Sequence, residues 1–255
     1  MKGKKLCYFV SDVHLGLDYK DAAERERRFA SFLQTLPAET EKLFLLGDIF
    51  DFWYEYKNVV PRGFTRTLGA LAALVDRGVE VHFFNGNHDI WTYNYFEQEI
   101  GMIMERRQPA VFEISGKRFC IGHGDGLDAS DKGYKLLKGL FTNRFAQILF
   151  SCLHPRWAFG FGHSWSKHNR LSKGEKFLFS GSGEPLVKFA EDFQQRQPSD
   201  EKVDYFIFGH YHYNAHCQLD NGGEMFMLGE WINHYDYLLF NGENIAKGFY
   251  LKNIE

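Results

Sequence analysis

Short apolar runs that stop abruptly at polar residues are the feature of this sequence that most constrains its fold. Five such runs are rich in aliphatic and aromatic residues, and each is followed at once by glycine or a polar residue; they occupy residues 6–10, 43–46, 79–84, 119–121 and 205–208. Continuous apolar runs of this length predict strands that are buried on both faces.

Helical patterns lie between the first of these runs. An acid-first start at Asp21 precedes apolar residues spaced as i, i+3, i+4 and i+7, and a second amphipathic pattern extends over residues 64–77 and stops at Gly78. Both patterns predict helices that place one face on a core. Because strands that alternate with helices are parallel, the sequence predicts an α/β architecture.

The pattern changes in the second half of the chain. Turn-forming residues at 115–117, 220–223 and 241–242 each separate two strand-like runs, which predicts three hairpins. We therefore expect a strand-rich α/β sandwich flanked by helices. Helical and glycine-punctuated segments interrupt this rhythm, so we predict a core of residues 1–129 and 196–255 with a helical lid inserted at 130–195.

Composition places the chain among ordinary globular proteins, with 44% hydrophobic and 25% charged residues. No run approaches 18 apolar residues, and the apolar run near the N-terminus is too short for a signal peptide. The four cysteines are scattered singly, without the paired spacing of a zinc site or a disulfide framework. We therefore expect reduced thiols and a cytoplasmic location.

Charge is unevenly distributed. Residues 132–176 contain nine lysines and arginines and one acid, a net charge of +8 in a chain whose total is −3. This segment is suited to an anionic partner.

Metal-binding residue types follow each of the five apolar runs. The motifs are Ser-Asp-Val-His at 11–14, Gly-Asp-Ile-Phe-Asp at 47–51, Gly-Asn-His-Asp at 86–89, Gly-His-Gly-Asp at 122–125 and Gly-His-Tyr-His at 209–212. The carboxyl ends of parallel strands gather around one crevice, so these motifs are expected to converge. In an extended chain His210 and His212 would face the same point.

The set mixes carboxylates, imidazoles and an amide and contains no thiolate, which suits Mn²⁺, iron or Zn²⁺ in an open site. It also contains more ligands than one ion can use. A pair of divalent ions, the arrangement used for phosphoester hydrolysis, accounts for the surplus.

In this order the motifs D-x-H, GD-x-x-D, GNHD, GH and GH-x-H resemble those of the calcineurin-like metallophosphoesterases. The resemblance implies one ion held by Asp12, His14 and His212, a second held by Asn87, His123 and His210, and Asp48 as the bridge between them. It also implies that His88 stabilises the phosphoryl group or protonates the leaving oxygen, and that Asp51 orients His88.

Within that superfamily the chain resembles the family of UDP-2,3-diacylglucosamine diphosphatases of lipid A synthesis. The resemblance spans nearly the whole chain and is carried by residues 47–53, by His123-Gly-Asp125 and by Asp131-Lys-Gly-Tyr134. It implies cleavage of the pyrophosphate of UDP-2,3-diacylglucosamine to UMP and 2,3-diacylglucosamine 1-phosphate. Described members carry Glu and Arg where this chain has Asp51 and His88, a paired change towards the general superfamily pattern.

The alternative function is a broader phosphodiesterase or nuclease that acts on soluble nucleotides or nucleic acid, because a basic segment also suits a phosphate backbone. The negative total charge and the apolar residues interleaved with the basic ones argue against it, so no nucleic-acid partner is expected. The sequence leaves the oligomeric state open.

The predicted lid is unusually rich in large apolar residues. Phe141, Phe145, Ile148 and Leu149 fall on one helical face, whereas residues 157–163 form a glycine-broken stretch in which no regular helix face is expected to gather the large residues. Packing against the core would account for one such face. Apolar bulk beside basic residues instead predicts a lid that buries acyl chains and associates peripherally with the inner membrane. The lid is expected to bring four residues near the sugar or phosphate: Asp131, Tyr134, Lys167 and Asn169.

Overall fold

The computed structural model describes residues 5–172 and 179–251, without the side chains of residues 163 and 165–172. The elements follow one another as β1 (Leu6–Val10), α1 (Ala22–Thr35), β2 (Thr40–Leu46), α2 (Thr65–Asp76), β3 (Glu80–Phe84), β4 (Ile103–Glu105), β5 (Ala110–Ile114), β6 (Lys117–Gly122), α3 (Lys132–Thr142), α4 (Arg144–Ser151), α5 (Pro155–Ser172), α6 (Pro185–Arg196), β7 (Tyr205–Phe208), β8 (Ala215–Gln218), β9 (Glu224–Met227), β10 (Asp236–Phe240) and β11 (Ile245–Phe249). Short helical turns occupy Phe96–Ile100, Gly181–Gly183 and Ser199–Glu201.

Two sheets form the centre of the molecule. The first has the strand order β11-β10-β1-β2-β3-β4, and the second has the order β5-β6-β7-β9-β8. Strands β1 to β4 are parallel, as are β6, β7 and β9, whereas the three predicted hairpins pair antiparallel. The predicted α/β sandwich is therefore confirmed.

Buried aromatic and aliphatic side chains hold the two sheets together. Phe9 stacks on Phe44 at 5.0 Å and on Phe119 at 5.9 Å, and Ile207 and Phe240 belong to the same fully buried cluster. Burying one such side chain contributes about 1.5–3 kcal/mol, so this layer fixes how the strand ends of the two sheets align.

Helices cover the outer faces of the sandwich. Helix α1 begins after Asp21, whose side chain accepts a hydrogen bond from the backbone N–H of Glu24, and it buries Phe29 and Leu33 beside α2 on the first sheet. Helix α6 buries Leu186 and further apolar residues against the second sheet. Since α6 lies inside the predicted 130–195 insertion yet packs as part of the core, we propose that the insertion comprises only α3 to α5.

The insertion differs from the expected single apolar face. The side chain of Asn143 accepts hydrogen bonds from the backbone N–H groups of Phe145 and Ala146, which starts α4 and separates it from α3. Phe141 therefore lies on a different helix from Phe145, and the prediction of one shared face is wrong.

The glycine-broken stretch is helical as well. Helix α5 continues through Gly160 and Gly162, so residues 157–163 lie on a regular helix, whereas no regular helix face was expected there. Helix propensity is a weak preference that tertiary packing overrides, and Gly162 packs against a core aromatic ring. Among the described helices none is both long and apolar enough to cross a membrane.

An aromatic platform, formed by Phe52, Tyr54 and Trp91, carries the insertion. Donors on core aromatic side chains reach carbonyl oxygens of the insertion backbone: the Tyr54 hydroxyl to Gln147 at 3.0 Å, the Tyr56 hydroxyl to Leu153 at 3.1 Å and the Trp91 indole N–H to Phe141 at 2.9 Å. Apolar rings of the insertion, including Phe150 at 4.9 Å from Trp91, stack on the platform. The insertion is thus docked beside the loop that follows β2.

Candidate metal centre

Loops that follow five strands meet at one edge of the sandwich. The loops after β1, β2 and β3 come from the first sheet, and those after β6 and β7 come from the second. The motifs therefore converge as expected, but across the edge of two sheets rather than along one. The ligands that the resemblance implies fall in two overlapping groups, and His14 also forms a third group with Asp51 and His88.

The first group contains Asp12, His14, Asp48 and His212, whose ligand atoms lie within 4.8 Å of one another. Nε2 of His14 is 3.1 Å from Nε2 of His212, which is itself 3.0 Å from Oδ1 of Asp12. Oδ2 of Asp48 lies 4.0 Å from Nε2 of His14. Imidazole nitrogens and carboxylate oxygens thus point at one small volume.

The second group contains Asp48, His123 and His210. Nε2 of His123 lies 3.4 Å from Oδ2 of Asp48 and 3.3 Å from Oδ1 of Asn87, so the amide joins this group. Nδ1 of His123 is 2.7 Å from the carbonyl oxygen of Leu46, which leaves Nε2 facing the group. Asp48 belongs to both groups and lies between them.

The donor set fits divalent cations. Oδ1 of Asp12 is buried and accepts no hydrogen bond from the described residues, an arrangement that costs free energy unless a positive charge lies beside it. Burial by itself would raise the pKa of this carboxyl, but His212 and His14 outweigh burial and hold its pKa well below the usual range. Burial and the neighbouring His123 lower the pKa of His210 to about 4, which keeps that imidazole neutral and able to bind metal.

Left-handed backbone conformations are concentrated at the candidate ligands. The φ angles are 54° at Asp12, 50° at His14, 52° at Asp48, 74° at His210 and 58° at His212. Non-glycine residues adopt this region at a cost of about 1–3 kcal/mol each, and they persist where the surrounding structure holds them. Backbone strain at five neighbouring polar residues marks this edge as a functional site.

These angles correct one sequence prediction. Strand β7 ends at Phe208, and both histidines of the Gly-His-Tyr-His motif lie in the following loop rather than in an extended strand. Because each has a left-handed conformation, the two side chains diverge: His210 joins the second group and His212 joins the first.

Glycines in two motifs allow the loops to approach closely. A Cβ atom at Gly86 would overlap the carboxylate of Asp48, and a Cβ atom at Gly209 would overlap Ser11 and the carboxylate of Asp12. The glycines that precede Asn87 and His210 are therefore needed for the strand-end loops to bring their ligands together.

His88 lies beside both groups. Its backbone N–H donates to Oδ1 of Asp48 at 2.8 Å, and its Nδ1 is 3.0 Å from the backbone carbonyl oxygen of Asp51. Oδ1 of Asp51 is closer to Nδ1 of His14, at 3.3 Å, than to Nδ1 of His88, at 3.9 Å. The main chain of Asp51 therefore orients His88, while its carboxylate lies nearer to His14.

Two buried charged residues hold the ligand loops and were not predicted as functional. The carboxylate of Asp89 accepts hydrogen bonds from the backbone N–H groups of Gly86 and residues 48–50. The guanidinium of Arg25 donates to the carbonyl oxygens of His14 and Leu17 at 3.0 and 3.3 Å. Asp89 was visible as the last residue of its motif; Arg25 lies in a helix with no sequence signal.

The four candidate substrate-binding residues lie on the insertion. Asp131 is exposed and accepts a hydrogen bond from the backbone N–H of Tyr134 at the start of α3. The Tyr134 hydroxyl donates to the buried carboxylate of Asp125, and the Tyr134 ring lies 6.4 Å from that of His210. Lys167 and Asn169 belong to α5, but their side chains lie outside the described residues.

An apolar cavity of about 590 Å³ lies between the insertion and the core. Its lining consists of Trp91, Leu140, Phe141, Ala146, Gln147, Leu149, Phe150, Leu153, Trp157 and Phe161. A small pocket of about 30 Å³, here named the passage, is lined by Asn87 and His88 and shares the lining residues Trp91, Phe141 and Phe161 with the cavity. The candidate metal centre and the apolar cavity are thus neighbours.

An α/β sandwich with histidines, carboxylates and an amide gathered at its strand ends defines a metal-dependent phosphoesterase. The chain belongs to the calcineurin-like phosphoesterase family, whose sequence model matches residues 7–214.

Two relatives and one solved structure are similar to this chain. A protein of Porphyromonas gingivalis named UDP-2,3-diacylglucosamine hydrolase is 38% identical, over 94% of this chain and 95% of its own length. A protein of Hamiltonella defensa with the same name is 32% identical, over 80% of this chain and 76% of its own length. A solved dimetal phosphatase of Danio rerio is 14% identical over 97% of this chain and 99% of its own, with a TM-score of 0.43.

Proposed function

We propose that the protein hydrolyses the pyrophosphate bond of UDP-2,3-diacylglucosamine and releases UMP and 2,3-diacylglucosamine 1-phosphate. The relatives named UDP-2,3-diacylglucosamine hydrolase support this substrate. The observation that carries the proposal is the apolar cavity, which is adjacent to the candidate metal centre. A phosphodiester without acyl chains would leave that cavity unfilled.

The cavity has the properties of a lipid site. Its volume of about 590 Å³ lies within the range of about 300–1,000 Å³ that is typical of ligand sites. Each buried methylene of an acyl chain would contribute about 0.8 kcal/mol. Trp91, Phe141 and Phe161 line both the cavity and the passage at His88, so acyl chains in the cavity place their head group towards the metal centre.

Two divalent ions fit the donor set, and Mn²⁺ is the ion we propose because oxygen and imidazole ligands occur together without thiolate. Asp12, His14 and His212 would hold one ion, Asn87, His123 and His210 the other, and Asp48 both. Such ions, when bound, would polarise phosphoryl oxygens and lower the pKa of water, so that water could lose a proton and attack phosphorus.

The protein's own groups orient the reacting atoms. We propose that His88 contacts the phosphoryl group or protonates the leaving oxygen, because its ring borders the passage and its Nδ1 is fixed by the Asp51 carbonyl, which leaves Nε2 for the substrate. The carboxylate of Asp51 would orient His14 through Nδ1, at 3.3 Å. The Asp51 and His88 pair would thus serve a metal ligand and the substrate at the same time.

We propose that residues of the insertion contact the sugar and the phosphate of the substrate. Tyr134 is held next to His210 by its hydrogen bond to Asp125, and Lys138 Nζ donates to the same carboxylate at 2.6 Å. We propose that Tyr134 and Asp131 face the sugar; Lys167 and Asn169, whose side chains lie outside the described residues, stay predictions for the same role.

Peripheral attachment to the inner face of the membrane is part of the proposal. Leu136 on α3 and Phe145 on α4 are each 80% exposed and lie outside the cavity lining, and exposed basic residues, Lys132, Lys135, Arg144 and Arg156, lie on the three helices of the insertion. Apolar residues among cations suit an anionic bilayer surface, where each cation adds about 1 kcal/mol. Such a location gives a cytoplasmic enzyme access to a lipid substrate.

One set of assays tests the function. The purified protein with Mn²⁺ is assayed against a diacylated UDP-sugar, bis-p-nitrophenyl phosphate and single-stranded DNA. We expect the diacylated UDP-sugar to have the highest kcat/KM and to yield UMP. Comparable hydrolysis of the other two substrates, or release of UDP in place of UMP, would contradict the proposal.

A further inference from the structure

Two glycines near the middle of α5 have opposite surroundings. A Cβ atom built at Gly160 would meet no atom of the described residues within 4 Å, whereas one built at Gly162 would lie within 2.5 Å of three ring carbons of Phe52. Gly160 is exposed and Gly162 is buried. The absence of a side chain is therefore required at Gly162 and is optional at Gly160.

Phe52 cannot move aside to admit a methyl group. Its ring is 8% exposed and makes edge contacts with Trp91 at 5.8 Å and with Phe159 at 5.7 Å. The atoms that a methyl group would overlap include Cγ, which is fixed close to the backbone of the loop after β2. An added Cβ would therefore displace α5 by about 1 Å, the difference between the overlap and an ordinary contact.

This contact lies at the passage between the apolar cavity and the candidate metal centre. Phe52 and Gly162 both line the passage, together with Asn87 and His88. Its volume of about 30 Å³ corresponds to one or two water molecules, so its walls would contact any group that joins a phosphate at the metal centre to a chain in the cavity. A gap of about 1 Å between such a wall and its ligand forfeits about a quarter to a half of their dispersion attraction.

We propose that Gly162 is a specificity-determining residue that seats α5 on Phe52 and thereby selects acyl-bearing phosphoesters over short ones. This inference rests on the proposed function and adds to it the residue that sets the width of the passage. The glycine acts by being small, since any larger residue separates the two walls.

The test compares Gly162→Ala with the matched variant Gly160→Ala. Both substitutions favour the helix equally, and within the described part of the chain only the first meets a neighbouring side chain. In Gly162→Ala the ratio of kcat/KM for the diacylated UDP-sugar to that for bis-p-nitrophenyl phosphate should fall about tenfold or more, the effect of one methyl group in a tight apolar site. In Gly160→Ala the ratio should stay within twofold of the wild type.

A rescue variant separates specificity from misfolding. Phe52→Ala removes all of the ring atoms that the new methyl group would overlap, Cγ included, so the double variant with Gly162→Ala should have nearly the same ratio as Phe52→Ala alone. If Gly162→Ala and Gly160→Ala have equal ratios, or if Phe52→Ala does not relieve the effect, the inference is overturned.

A binding measurement keeps this inference distinct from the proposed function. Trp91 and Trp157 line the cavity, so their fluorescence can follow the binding of dodecyl phosphate. If the wild type does not hydrolyse the diacylated UDP-sugar, the proposed function fails. In that case weaker dodecyl phosphate binding by Gly162→Ala, but not by Gly160→Ala, still supports the role of Gly162, and equal binding refutes it.

Discussion

The strand-end edge and the insertion are built in opposite ways. Asp12, His14 and His123 are fully buried, and several candidate ligands have a strained backbone that the surrounding sheets maintain. Helices α3 and α4 have no buried residue, and they rest on the core through stacked rings and a few hydrogen bonds. Catalysis on phosphorus needs positions fixed to a fraction of an ångström, whereas flexible acyl chains need only an apolar volume.

From this difference we expect substitutions at the strand-end edge to abolish catalysis and preserve lipid binding. Substitutions in the insertion should weaken lipid binding and preserve catalysis.

The largest effect is expected for Asp48→Asn. Asp48 belongs to both ligand groups, so loss of its charge should weaken metal binding by both groups. We expect kcat to fall by at least about 10⁴-fold with the diacylated UDP-sugar and with bis-p-nitrophenyl phosphate. Asp192→Asn, which removes a charge that is 66% exposed on α6, serves as the control and should retain activity. Dodecyl phosphate should still alter tryptophan fluorescence in Asp48→Asn. Loss of that signal would show that lipid binding depends on the strand-end edge as well as on the insertion.

His88→Ala should have the next largest effect. Removal of a positioned acid typically costs about 10²–10⁴-fold in kcat, while the metal content measured by elemental analysis should not change. His216→Ala, a partly exposed histidine on β8, is the matched control. Full turnover in His88→Ala would end the assignment of this residue to catalysis.

Substitutions of two phenylalanines should separate two functions of the insertion, which are acyl-chain binding and membrane attachment. Phe141 lines both the cavity and the passage, so Phe141→Ser should raise KM for the diacylated UDP-sugar about tenfold, the effect of losing part of a buried aromatic contact. Phe145 is 80% exposed and lies outside the cavity lining, so Phe145→Ser should leave KM unchanged and weaken sedimentation with anionic vesicles. Equal responses of the two variants would mean that cavity and membrane surface are not separate.

The smallest effect is expected for Asn143→Ala. Loss of the two hydrogen bonds that cap α4 should destabilise this helix by about 1 kcal/mol, which corresponds to roughly fivefold faster hydrogen exchange of its amides. Thr142→Ala removes a neighbouring hydroxyl that donates to Lys138 rather than to α4, and it should not change that exchange. Faster exchange across the sheets as well would show that the insertion and the edge unfold together.

The sequence predicted the strands, and the convergence of the motifs that follow them, better than the conformations of the loops. Apolar runs locate buried strands directly, and a polar residue one or two positions after such a run has to lie at the sheet edge. The left-handed conformations at His210 and His212 depend on contacts between the two sheets, so the expectation of an extended strand was wrong there.

In the insertion, a capping residue and tertiary packing produced helices that differ from those predicted by the apolar spacing and the glycines. The apolar spacing from Phe141 to Leu149 favours one helix, but a single capping side chain at Asn143 divides it. Gly160 and Gly162 favour a break, but α5 continues because packing outweighs propensity. The support that Arg25 gives to the His14 loop was invisible, since an arginine on a helix is usually solvated.

The hydrogen bonds from Tyr54, Tyr56 and Trp91 to the insertion all end on main-chain carbonyl oxygens. Every amino acid supplies such an oxygen, so these three hydrogen bonds, unlike the contact of Gly162 with Phe52, do not depend on which side chains the insertion carries. Mutations can accumulate on the helices during evolution while the place of attachment is kept. Grafting the insertion of one relative onto the core of another is accordingly a practical way to engineer hydrolases for lipids with different acyl chains.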